Sequence, residues 1–86
     1  MIMHDRGTEF LEQEVSGILR DQLMIEVPGP EADLISMGTL DSLLLVDLLV
    51  RIEEKTGVSI PLEEVELSDL RSVRSIGALL ARRIDM

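Results

Sequence analysis

Residues 38–57 read Gly38-Thr39-Leu40-Asp41-Ser42-Leu43-Leu44-Leu45-Val46-Asp47-Leu48-Leu49-Val50-Arg51-Ile52-Glu53-Glu54-Lys55-Thr56-Gly57, and the fold depends on how this stretch is read. Asp41 is a good N-cap, because its carboxylate accepts from the orphan amides one turn on. Gly57 supplies a left-handed stop. Between them the spacing predicts a helix over residues 42–56. At roughly 100° per residue its faces separate. Leu45, Leu48, Leu49, Ile52 and Thr56 fall on one side, the predicted core. Asp47, Arg51, Glu54 and Lys55 mark the opposite, solvated side, with Asp47 and Arg51 forming a favourable i,i+4 pair. Leu43 and Leu44 fall on that solvated side, with Val46 and Val50 on its flanks. A contiguous apolar set beside the Ser42 hydroxyl reads as a partner-contact patch. The other reading is that the preceding loop folds over these residues and buries them.

Upstream, residues from about Asp5 to Leu23 are expected to form a first helix, capped by Thr8 or Asp5, with Glu9, Glu12 and Glu14 suiting the helix dipole. Leu11, Val15, Ile18 and Leu19 give one buried stripe, flanked by Phe10 and Leu23. Gly17 weakens that helix by roughly 1 kcal/mol relative to alanine. Val27-Pro28-Gly29-Pro30 stops any helix. The long connection from Glu31 to Leu40 carries Leu34, Ile35 and Met37, and is expected to pack onto the helices. Downstream, Val58-Ser59-Ile60-Pro61 is an extended turn. Residues 62–70 read as a short third helix or an irregular turn. Ser72 caps a last helix of roughly Val73 to Ile84, whose apolar stripe is Val73, Ile76, Leu79, Leu80 and Ile84. Strand signals are poor throughout, so the class is all-α. One domain is expected over residues 1–86, with an ordered core of about 5–84.

Composition narrows the function. The chain has 86 residues, no cysteine, a single histidine (His4, in an N-terminus expected to fray) and a single aromatic residue, Phe10. The core is therefore aliphatic, thiolate metal sites are excluded, and the lone His4 argues against a histidine-based catalytic centre. The net charge of −9 argues against nucleic acid, whose phosphates need Lys/Arg clusters. It is unevenly placed, with sixteen acids and four bases in residues 1–70 and four bases with one acid beyond. Such an acidic body attracts partners with basic patches. No apolar run reaches the ~18–20 residues of a membrane span, and the N-terminus lacks a signal-peptide layout. A soluble, cytoplasmic protein is expected. Glu63-Glu64-x-Glu66 has no EF-hand spacing and reads as a solvated face. Ser42 has no available base, and Gly38-x-x-x-Ser42 is no nucleophile elbow. Nothing here supports an enzyme.

At Asp41-Ser42-Leu43 the chain resembles the acyl and peptidyl carrier protein family. The resemblance extends over Leu34 and Ile35 in the loop, Gly38 before the motif, Ile52-Glu53-Glu54, Gly57-Val58-x-Ile60-Pro61, and Leu70-x-Ser72-Val73-x-x-Ile76. It implies an acyl-carrier-protein-like four-helix bundle, with a short third helix and a long loop between helices 1 and 2. It implies that a separate phosphopantetheinyl transferase moves 4′-phosphopantetheine from coenzyme A onto Ser42, with Asp41 completing the motif and capping the helix. The arm's thiol then holds an acyl or aminoacyl group as a thioester. Leu43, Leu44, Asp47, Val50 and Glu54 become the surface read by partner enzymes, namely an adenylating or loading enzyme or acyltransferase and the downstream acyl-processing enzymes. A freestanding monomer is expected.

The Gly-x-Leu-Asp-Ser spacing is similar to that of D-alanyl, aminoacyl and methoxymalonyl-type carriers. Leu44 stands where fatty acid carriers usually have an acidic residue, and Thr56 replaces an aromatic common before the glycine. The resemblance therefore implies a specialised or secondary-metabolic pathway over housekeeping fatty acid synthesis. The competing class is a small helical protein–protein adaptor without a prosthetic group, which would tolerate loss of the Ser42 hydroxyl.

Overall fold

The computed structural model describes residues 3–84, with side chains from Glu9 onward. Three α-helices, α1 (Met3–Asp21), α2 (Ser42–Thr56) and α3 (Val73–Ile84), account for the regular structure, and no strand occurs among the described residues. The segment expected to hold a short third helix is two separate 3₁₀ turns, Leu62–Glu64 and Leu67–Leu70. The backbone extends at Val65 and Glu66 between them, so one continuous α-helix cannot form. Pro61 precedes the first turn, and Glu66 with Asp69 forms a capping box at the second.

Helix α2 has the predicted bounds. The Asp41 carboxylate accepts from the Leu44 N–H at 2.9 Å. Gly57 adopts φ 77° and donates its N–H to the Glu53 carbonyl, a conformation that costs a side-chain-bearing residue about 1 kcal/mol. Helix α3 starts on a reciprocal pair in place of a single cap. The Ser75 N–H donates to Ser72 Oγ, and the Ser72 N–H donates to Ser75 Oγ. Helix α1 begins at Met3, so Asp5 and Thr8 lie inside it and not at its N-cap. Their side chains and that of His4 lie outside the described residues. The helix ends at Asp21, two residues before the expected Leu23, and the turn beyond it passes through Met24 in a left-handed conformation (φ 59°).

The core is wholly aliphatic among the described residues, with no buried polar side chain. It gathers Leu11, Val15, Ile18 and Leu19 from α1, Leu45, Leu48, Leu49 and Ile52 from α2, and Val73, Ile76, Leu79 and Leu80 from α3. Leu34, Leu40, Ile60 and Leu70 enter it from the connections. Helix α1 packs chiefly on α3 and more lightly on α2.

Four side chains depart from the predicted stripes. Phe10 is 60% exposed, because it precedes Leu11 by one residue and is turned about 100° off the buried face. Ile84 is exposed at the last residue of α3, and Met37 is exposed at the tip of the loop. Thr56 is only half buried. Its hydroxyl donates to the Ile52 carbonyl and accepts from the Val58 N–H, so it finishes the helix end and does not fill the core. No helix among the described residues is long and apolar enough to cross a membrane.

Candidate functional site

Ser42 is the first residue of α2 and is exposed. Two devices set its position. The Asp41 cap fixes the helix start from within. From outside, the incoming loop is tied down at Leu34, which is fully buried and whose carbonyl accepts from the N–H groups of both Thr39 and Leu40 at 2.9 and 3.0 Å. Gly38 makes the turn between them at φ 78°. Leu40 is buried and anchors the chain one residue before the cap.

Among the described residues the Ser42 hydroxyl makes no hydrogen bond, while Asp41 is occupied as the cap. No cluster of His, Cys, Asp or Glu able to hold a metal occurs among them. The unbonded hydroxyl sits where the positive end of the α2 dipole and its free first-turn amides favour an anion. The Asp41 carboxylate already takes the Leu44 N–H, and the first turn itself carries no acidic side chain, so the amides of Ser42 and Leu43 are what would favour a phosphoryl group on Ser42. Beside Ser42 opens a cleft of about 240 Å³, lined by Leu45, Val46, Leu62, Val65, Leu67 and Leu70. Its walls are aliphatic and come from α2, the two 3₁₀ turns and Val65 between them. A larger open groove of about 1330 Å³ runs along α1, but charged side chains line it and it does not reach Ser42.

The predicted partner-contact residues divide. Leu43 is 81% exposed, and Val46 and Val50 are also exposed, so the loop does not cover them. Glu54 is exposed, and Asp47 is half buried with its carboxylate accepting from Arg51 Nε at 2.8 Å. Leu44 is the correction. It is half buried and packs against the core, because it stands one turn before the buried Leu48 and so at the edge of the apolar stripe.

The residues that hold the loop were not legible in advance. The Asp33 carboxylate accepts from the Ser36 N–H and Oγ, both at 3.0 Å, and from Arg71 Nη1 at 2.9 Å. The Ser36 backbone N–H, then the Ser36 hydroxyl and the Arg71 guanidinium, hold this carboxyl below the usual range against the opposing effect of desolvation. The Asp33-x-x-Ser36 spacing signals a capped turn, but nothing in sequence links it to Arg71.

The family model described as a phosphopantetheine attachment site matches residues 13–80, and the chain belongs to that family. It is a carrier and not an enzyme, and the group its family bears is covalent 4′-phosphopantetheine.

Proposed function

We propose that Ser42 is the residue that receives the phosphopantetheine and that residues 1–86 act as one carrier domain of the acyl-carrier-protein type, with the two 3₁₀ turns standing for its short third helix. The observation that carries this is the exposure of Ser42 at the capped start of α2. When bound, the arm supplies a terminal thiol that takes an acyl or aminoacyl group as a thioester. The chain's own part is to hold out the hydroxyl, favour the phosphate with the α2 dipole, and offer surfaces for docking.

Leu43, Val50 and Glu54, with Leu44 and Asp47 at the edges, are read as the docking surface. The exposure of Leu43 and Val50 beside Ser42 supports this reading. A phosphopantetheinyl transferase is the first partner, followed by a loading enzyme and acyl-processing enzymes in the cytoplasm. The Thr39 spacing and the apolar Leu44 favour a specialised pathway over fatty acid synthesis.

Incubation with coenzyme A, magnesium and a promiscuous transferase is expected to add one phosphopantetheine to the wild-type mass and none to Ser42→Ala. An unchanged wild-type mass would refute the proposal, and a modified Ser42→Ala variant would move the attachment to another residue.

A further inference from the structure

Arg71 lies far from Ser42 in sequence, yet a short series of hydrogen bonds ties it to Leu40, two residues before Ser42. The Arg71 carbonyl accepts from the Leu34 N–H at 2.7 Å, and the Leu34 carbonyl accepts from the Thr39 and Leu40 N–H groups. The Arg71 guanidinium meanwhile holds Asp33, whose carboxylate fixes Ser36. Residues 33–40 are thus gripped at both backbone and side chain, and the next residue is the Asp41 cap. A parallel tie comes from Arg74, whose N–H donates to the Pro30 carbonyl and whose Nη1 reaches Glu31 at 2.6 Å. Arg71 also directly follows the 3₁₀ turn that contributes Leu67 and Leu70 to the cleft beside Ser42. The loop before Ser42 and the far wall of that cleft are therefore one frame, pinned at Arg71.

We infer that Asp33 and Arg71 are a positioning pair for Ser42, holding the loop so that the hydroxyl is presented in the geometry its modification needs. This rests on the reading of Ser42 as the attachment residue. In that step the Ser42 Oγ–phosphorus bond forms and the pyrophosphate P–O bond of coenzyme A breaks. Adenosine 3′,5′-bisphosphate leaves, and the hydroxyl proton passes to a base of the transferase. Neither Asp33 nor Arg71 touches the reacting atoms. Their side chains are 39% and 42% exposed, and exposed ion pairs add little to global stability. Removing the pair should therefore leave the protein folded while loosening the loop.

The test compares wild type with Arg71→Ala, Arg71→Lys, Asp33→Asn and Arg82→Ala in the full chain. Modification kinetics with coenzyme A and a promiscuous transferase are read together with amide hydrogen exchange of the unmodified protein. Arg71→Ala is expected to lower kcat/KM about tenfold, mainly through kcat, as misplacement of a reacting group does. Its Thr39 and Leu40 amides should exchange about tenfold faster while those of Leu48, Leu49 and Ile52 do not change, a local rather than a global opening. Arg71→Lys should recover much of both effects, and Arg82→Ala, which removes the same charge elsewhere, should show neither. Unchanged exchange at Thr39 and Leu40, or an unchanged kcat/KM, overturns the inference. If Arg71→Ala does not fold, Asp33→Asn decides by the same two readings. A wild-type protein that is not modified at all refutes the assignment of Ser42, a different failure from altered exchange with unaltered kinetics.

Discussion

Leu43, Leu44 and Leu49 share one helix and one chemistry, yet each meets a different environment. Leu49 is buried in the common core, Leu44 lies at its edge, and Leu43 stands in solvent. Truncation to alanine should grade accordingly. Leu49→Ala is expected to lose roughly 2–5 kcal/mol of unfolding free energy, from lost burial and the cavity left behind. Leu44→Ala should lose about 1–2 kcal/mol in proportion to its partial burial. Leu43→Ala should stay within about 0.5 kcal/mol. Urea denaturation of the three variants checks the order, and equal losses at Leu43 and Leu49 would contradict the faces described for α2. The amphipathic period alone assigned Leu43 and Leu49 correctly. Leu44, expected on the solvated side, is half buried because it lies one turn before the buried Leu48, at the edge of the apolar stripe.

At the scale of the elements, the ends of α2 are written in the chain. Asp41 accepts from an orphan amide and Gly57 turns left-handed, so both bounds were legible in advance. Helix α1 carries a correctable weakness. A Cβ built on Gly17 would meet only Arg20 Nη2, at 3.9 Å, an ordinary contact. Gly17→Ala should therefore stabilise the protein by about 0.5–1 kcal/mol through helix propensity and a less flexible unfolded chain. Thermal unfolding followed by circular dichroism would show a higher Tm, and a lower one would mean that a methyl group at this position does not fit. The segment between α2 and α3 was less legible. Its apolar and acidic residues fit a short helix or a turn equally well, and the extended backbone at Val65 and Glu66 settles it as two 3₁₀ turns.

For the whole molecule, charge is the organising quantity. Arg20, Arg51, Lys55, Arg71, Arg74, Arg82 and Arg83 each reach an acidic partner within 4 Å. No ion pair among the described residues engages Glu53, Glu54 or Glu66. With a net charge of −9, what the surface offers a partner is predominantly negative. Raising ionic strength shortens the Debye length from about 30 Å at 0.01 M to about 8 Å at 0.15 M. The KM of the transferase for this carrier should rise several-fold over that range with kcat little changed, since steering acts on encounter. Steady-state kinetics across a salt series measure this, and a flat KM would remove charge as the guide to docking.

The sequence by itself determined the helical class, the bounds of α2, the aliphatic core and the serine at the helix start. These depend on local spacing, capping chemistry and composition, which neighbouring residues carry among themselves. Tertiary structure alone decided that Leu40 is buried, that Met37 is exposed, and that Asp33 meets Arg71. Those outcomes depend on which distant segments are packed together, and a contact between residues remote along the chain leaves no period to read. The exposed hydroxyl of Ser42 belongs to both. Its place at the start of α2 is local, and the frame that holds it out is not.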